Sequence, residues 1–213
     1  MKQPQIIVLT SVLAVAVGMI GINGASGDIF GLSNNPDVST YEGQTYQGHI
    51  IVKHFDPEGN LVSYQQTDNL VNVAGKNCAA NLLFGTDFAN CASPGVFVNI
   101  ALSTNTGAGF VEGDTTLANE CDTITDTCGA GLEARIAGAL QADQVAATGL
   151  DAIAQIQATF TKTDAGSAII PSAGLFDALT TETGNMFAER AFTSSVTLNQ
   201  NDSIQVTWLI TLA

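Results

Sequence analysis

Basic side chains are scarce in this chain. Lys2, Lys53, Lys76, Arg135, Lys162 and Arg190 are all it has among 213 residues, against 20 Asp and Glu, for a formal net charge of −14. A surface that acidic repels a phosphate backbone, which argues against nucleic acid as a partner. Charge of either sign is thin at 12%, unlike the polar faces of a helical bundle. Histidine occurs only at 49 and 54. Odd spacing puts these two on opposite faces of a strand, where they cannot jointly hold a metal. No Gly-x-Ser-x-Gly turn is present to place a nucleophile, and no EF-hand spacing to bind calcium in the usual loop. Gly129-Ala-Gly131-Leu-Glu-Ala134 loosely matches a dinucleotide fingerprint, but it follows a cysteine loop instead of a strand and reads as a loop itself. No internal repeat and no second domain boundary appears.

What is present starts with an address. Lys2 precedes an apolar run from Ile6 to Ile22, followed by Gly24, Ala25 and Ser26. This is the layout of a secretory signal peptide, with cleavage expected near Ala25; retention as a membrane anchor is the alternative, since the run approaches the roughly 20 residues a span needs. The expected location is therefore secreted, extracellular or cell-surface, with no membrane partner once the signal is removed. Cys78, Cys91, Cys121 and Cys128 then read as disulfides in an oxidising compartment, and their spacing suggests Cys78 with Cys91 and Cys121 with Cys128.

Residues 1–25 are thus the signal or anchor and 26–45 an extended N-terminal arm, rich in Gly, Ser, Asn and Pro but carrying Ile29, Phe30 and Leu32. Those three are candidates to dock on a neighbouring subunit, adding a strand to its sheet edge. Residues 46–213 are the folded domain. Its clearest signal is the last segment, where Ile204, Val206, Trp208, Ile210 and Leu212 alternate with Ser203, Gln205, Thr207 and Thr211, the period of a strand with one buried face. Tyr46–Phe55 and Leu61–Gln66 form a hairpin across Asp56-Pro-Glu-Gly-Asn60. Asn69–Gly85 changes to helical spacing through Val71, Ala74, Cys78 and Leu82, with Ala79 and Leu83 beside them. Further strands are predicted over Val96–Leu102, Leu132–Ala139, Asp151–Thr161, Ala168–Ala178 and Met186–Phe192, with Val196–Leu198 as a short continuation, and a helical turn over Thr115–Glu120. The sum is an all-β fold with one packed helix, an antiparallel β-sandwich of jelly-roll-like type.

Asp114, Glu120, Asp122 and Asp126 gather around the loop that Cys121 and Cys128 would staple. Hard oxygens on a rigid loop suit calcium, and a solvated acidic loop is the plainer reading. Apart from that, no cofactor is indicated. Asp177, Glu182 and Glu189 are dispersed carboxylates that a secreted hydrolase could use, with nothing specific in favour. Asn201-Asp-Ser203 is a glycosylation sequon in a predicted surface turn.

Three groups of segments, in order along the chain, resemble tail-fibre and other virion proteins of phages. They are Ile100-Ala-Leu-Ser-Thr-Asn-Thr-Gly-Ala-Gly109 with Asp114-Thr-Thr-Leu-Ala-Asn-Glu120, then Ala173-Gly-Leu-Phe-Asp-Ala178 with Gly184-Asn-Met-Phe-Ala-Glu-Arg-Ala-Phe192, then Asp202-Ser-Ile-Gln-Val-Thr-Trp208. The resemblance implies a β-sandwich structural domain without catalytic residues. The export signal and cysteines depart from phage fibres and are more similar to secreted surface or filament proteins of archaea. The expectation is a non-enzymatic subunit that polymerises with itself into an extracellular filament, sheath or surface layer. A calcium-dependent adhesin module binding glycans, or a virion tail or coat protein, is the alternative.

Overall fold

The computed structural model describes residues 46–84, 91, 95–107, 110–123, 128–141, 152–181 and 183–212. The signal or anchor segment, the arm with Ile29, Phe30 and Leu32, and Asp126 lie outside the described residues. In chain order the elements are β1 (Tyr46–Phe55), β2 (Leu61–Asp68), β3 (Leu70–Val71), α1 (Val73–Phe84), β4 (Asn99–Ser103), β5 (Ile136–Ala137), β6 (Ala139–Gln141), β7 (Ala152–Thr161), β8 (Ala168–Phe176), β9 (Met186–Leu198) and β10 (Ser203–Leu212). They form two five-stranded sheets, ordered β2-β1-β10-β7-β6 and β3-β9-β8-β4-β5, and every strand pair is antiparallel. The architecture is the all-β antiparallel sandwich with one helix that the periodicities predict.

β10 is the middle strand of the first sheet. Trp208 pairs with Ile50 on one side and Ile156 on the other, and Val206 with Val52 and Ala158, so each inward row of β10 extends across three strands. All six of these side chains are buried in the main core, facing Ile170, Leu175, Val196 and Leu198 of the second sheet. Burying an indole contributes roughly 4–6 kcal/mol of apolar transfer. A one-residue slip of β10 would forfeit that and turn its polar set inward.

The β1–β2 turn is built as its residues dictate. Gly59 has φ 82 and donates to Asp56 O at 3.0 Å, while Asn60 N donates to Asp56 Oδ1 at 2.7 Å. Hydrogen bonds from Asn60, first through its side chain, hold the Asp56 carboxyl below its ordinary pKa. In β8, Pro171 has no N–H for the ladder and sits at an irregularity: Ile170 pairs with Val196 but Ser172 with Ala191. β9 absorbs the difference as a bulge and continues as one strand, where the sequence suggests a strand and a separate continuation.

Three other expectations are corrected. Leu132–Ala139 is not one strand, because the chain leaves one sheet as β5 and enters the other as β6. Gly138 marks the crossing, where an added Cβ would lie 2.6 Å from Ile156 Cγ2. Thr115–Glu120 is an irregular turn with Asn119 at φ 50, and Leu117 anchors it in a small cluster with Ala101, Phe176 and Met186. In α1, Ala74 and Cys78 are buried but Leu82 is 55% exposed, so the expected apolar stripe does not face the protein as far as Leu82. Both expected disulfides are present, Cys78–Cys91 and Cys121–Cys128.

Candidate assembly edge and buried carboxylates

A two-sheet sandwich has four edge strands, here β2 and β6 in one sheet, β3 and β5 in the other. Among the described residues β3 and β5 span two residues each and β6 three. Stubs of that length can offer only one or two main-chain bonds to another chain. β2 is eight residues long and none of them is buried. Its sequence, Leu61-Val-Ser-Tyr-Gln-Gln-Thr-Asp68, contains no Lys or Pro to discourage pairing. Leu61, Val62 and Tyr64 are 54%, 56% and 52% exposed. β2 is held by its ladder to β1 and by polar ties to β9. Ser194 N donates to Gln65 Oε1 at 2.9 Å and Arg190 Nη2 to Thr67 Oγ1 at 3.2 Å.

The acidic loop proposed for calcium is organised otherwise. Arg135 donates from Nε to Glu120 Oε1 at 2.6 Å and from Nη2 to Glu120 Oε2 at 2.9 Å. Its Nη1 donates to the carbonyls of Ala178 and Thr183, and the guanidinium lies 3.6 Å over the Phe176 ring. Both Glu120 oxygens are therefore engaged by a buried cation. The pair lines a cleft of about 480 Å³ shared with Thr104, Leu117, Asn119 and Asp122. Asp114 meets different partners: its Oδ2 accepts from Val111 N at 2.9 Å and its carbonyl from Asn72 Nδ2 at 3.0 Å. Among the described residues no group of three or more His, Cys, Asp or Glu could hold a metal. The expected set of Asp114, Glu120 and Asp122 is not assembled around one ion, because the loop's nearest strong attraction is Arg135.

The histidines lie on opposite faces of β1, as their spacing predicts. His49 Nδ1 is 2.7 Å from Asp68 Oδ1 at the surface, and buried His54 Nε2 is 3.2 Å from Asp202 Oδ2. Asn201 is exposed in the β9–β10 turn at φ 68. Lys162 is buried with its Nζ on Asp164 Oδ1 at 2.5 Å, and that hydrogen bond holds the Asp164 carboxyl below its ordinary pKa.

Sequence reasoning gave no distinct place to the most unusual acid. Glu189, on β9 opposite Leu70 and Gly174, is 0% exposed, and neither of its oxygens has a hydrogen-bond donor in the protein. Loss of hydration pushes its pKa up to about 8, reinforced by the neighbouring Asp114 carboxyl. Its buried position was legible only as an acid inside the run Met186-Phe-Ala-Glu189, which is buried on both faces because α1 packs on β9.

No protein-family model matches the chain, and no curated protein matches it significantly. Among the described residues no helix is long and apolar enough to cross a membrane.

Proposed function

We propose that this chain is a secreted structural subunit that assembles into an extracellular filament, sheath or surface layer, with the β2 edge receiving an extended segment of a neighbouring copy. The observation that carries this reading is the asymmetry of the edges among the described residues, three stubs against one eight-residue strand bearing Leu61, Val62 and Tyr64. A strand added there forms main-chain bonds along β2 and covers those apolar side chains. The arm over residues 26–45 supplies a segment of suitable composition, with Ile29, Phe30 and Leu32 set in a polar stretch. Two disulfides and the apolar run Ile6–Ile22 support an exported protein. The segments similar to virion proteins support a structural role.

The test is electron microscopy and size-exclusion chromatography of the full chain beside Val62→Lys/Tyr64→Lys. Two charges on an exposed edge oppose strand addition without touching the core. The variant is expected to keep the wild-type circular dichroism and melt while losing high-mass assemblies, and deletion of residues 26–44 is expected to do the same. Assemblies that persist in both variants would overturn the proposal. The glycan-binding alternative relied on an acidic calcium loop whose Glu120 is instead tied to Arg135; chelator-sensitive glycan binding by a chain that stays monomeric would favour it.

A further inference from the structure

Every residue of β4 is buried, but its two faces are covered differently. Ile100 and Leu102 belong to the main core between the sheets. Ala101, on the opposite face by parity, packs instead with Leu117, Phe176 and Met186, so Leu117 holds the segment 115–120 against the outside of the second sheet. Main-chain bonds fasten that segment to β4: Thr104 N donates to Asn119 O at 3.1 Å and Cys121 N to Leu102 O at 2.8 Å. Ser103 Oγ donates to Ala118 O at 2.6 Å, and Cys121 is bridged to Cys128. Arg135 ties this wall to the β8–β9 loop, holding both Glu120 oxygens and the carbonyls of Ala178 and Thr183. The cleft of about 480 Å³ that these segments line is therefore fixed before a ligand arrives, which spares the ligand the cost of ordering it.

Its lining selects by charge and by hydrogen bonding. Two acids, Glu120 and Asp122, against one base, Arg135, leave a net negative charge, which disfavours phosphates and carboxylates. A cation has no open place beside Glu120, because the Arg135 guanidinium already stands there. Thr104, Thr115, Thr116 and Asn119 also line the cleft, and among the described residues no hydrogen bond within the protein takes up any of these four side chains. Hydroxyls both donate and accept, a carboxamide does each at a fixed position, and a carboxylate has roughly four acceptor positions, of which Arg135 uses two on Glu120. An apolar guest would strip water from such groups and return nothing. A guest dense in hydroxyls pairs with them in either sense.

We propose that this cleft binds a neutral carbohydrate, one sugar residue of a glycan, without a metal ion. Phe176 is 1% exposed and lies under the Arg135 guanidinium, so it offers the sugar no open ring to stack on. The affinity of a single site is accordingly of millimolar order, that of a small ligand held by a few neutral hydrogen bonds. Repetition of the cleft along a filament or layer would raise the avidity for a multivalent glycan. That gain rests on the assembly proposed above, whereas binding at the single site does not. Independence from calcium separates this site from an adhesin that holds glycans through an acidic calcium loop.

The experiment uses the full chain with EDTA in every sample. Saturation-transfer NMR against the methyl glycosides of glucose, galactose and mannose, against N-acetylglucosamine and against glycerol reads contact, and titration of the best ligand gives its Kd. Transfer to at least one sugar, well above that to glycerol, is expected. Val62→Lys/Tyr64→Lys and the exposed-turn control Glu58→Gln are expected to bind that sugar as wild type does, so a failure of assembly leaves this test readable. Asn119→Gly suits the backbone φ of 50 at that position while removing the carboxamide. Combined with Thr115→Val it is expected to keep the wild-type circular dichroism and raise Kd roughly tenfold, the effect of losing one or two neutral hydrogen bonds. The proposal is overturned if no sugar in the panel binds, if glycerol receives transfer as strongly as the sugars, if binding appears only when calcium replaces EDTA, or if Asn119→Gly/Thr115→Val leaves Kd unchanged. Should that double variant fail to fold, Thr116→Val decides in its place by the same change in Kd.

Discussion

At neutral pH, Glu189→Gln should make the protein more stable, although it alters a fully buried side chain. Glu189 titrates at an ordinary 4.5 when solvated and at about 8 in the fold. Between those values the folded state holds a proton that the unfolded chain has released. Folding stability attached to this group is therefore greatest below pH 4.5, falls as pH rises through the window from 4.5 to 8, and is level above it. Each pH unit in that window costs about 1.4 kcal/mol, which sets a ceiling of roughly 3 kcal/mol at pH 7. Relaxation of the site and entry of water reduce this to about 1–2 kcal/mol. Glutamine carries no charge at any of these pH values and keeps an amide N–H to donate toward Asp114. The variant should match wild type near pH 4.5, gain steadily up to pH 8 and then hold its advantage. Urea unfolding at five or so pH values reads the slope directly; in a chain of this size 1 kcal/mol is also about 2–4 °C in Tm. Parallel wild-type and variant profiles across the window, or a variant less stable at pH 7.5, would refute the reasoning.

Two further outcomes follow from the buried charge and the staples. Arg135→Met leaves the Glu120 carboxylate buried without its cation and should cost about 3–5 kcal/mol in urea unfolding, much of it recovered by adding Glu120→Leu. Replacing Cys121 and Cys128 by Ser opens a loop of sequence separation 7 and should lower stability by ~2–3 kcal/mol, read by thermal melts of oxidised wild type beside the variant.

How much of this could be read from the chain depended on the range of the forces involved. β10, β7 and the β1–β2 hairpin were legible because a two-residue apolar period and a Pro-to-Gly turn are local facts, and the observed registers place Trp208, Ile156 and Ile50 in one row. The split of Leu132–Ala139 between two sheets was not, since nothing in that stretch marks a crossing except Gly138, whose reason is the Ile156 side chain packed against it. The acidic cluster misled for a related cause. Four acids within thirteen positions look like one site, yet the partner that decides Glu120 is Arg135, 15 residues on, while the Asp114 carboxylate accepts from Val111 N, 3 residues back. Sequence proximity gathered charges that the fold then assigned to different neighbours. Glu189 was noted only as one of several dispersed carboxylates, and its burial was missed because an acid inside a strand reads by parity as a solvent-facing residue unless a helix covers the outer face.

Among the described residues one edge differs from the other three. β3 runs straight into α1, β5 ends at the crossing marked by Gly138, and β6 spans three of the described residues beyond it. β2 has no such neighbour. Its inward residues Gln65 and Thr67 reach β9 through hydrogen bonds, and no residue along it is buried. An eight-residue edge strand with apolar exposure is an aggregation hazard in a freely diffusing monomer, which is why soluble proteins commonly break such edges with Lys, Pro or a bulge. A bulge does occur at the β2 end beside Phe55 and Leu61, but among the described residues no strand pairs with its outer edge. Keeping it open is costly for a monomer and useful to a subunit, because a pre-formed ladder lets an incoming segment order against rigid main chain and lose less entropy on binding.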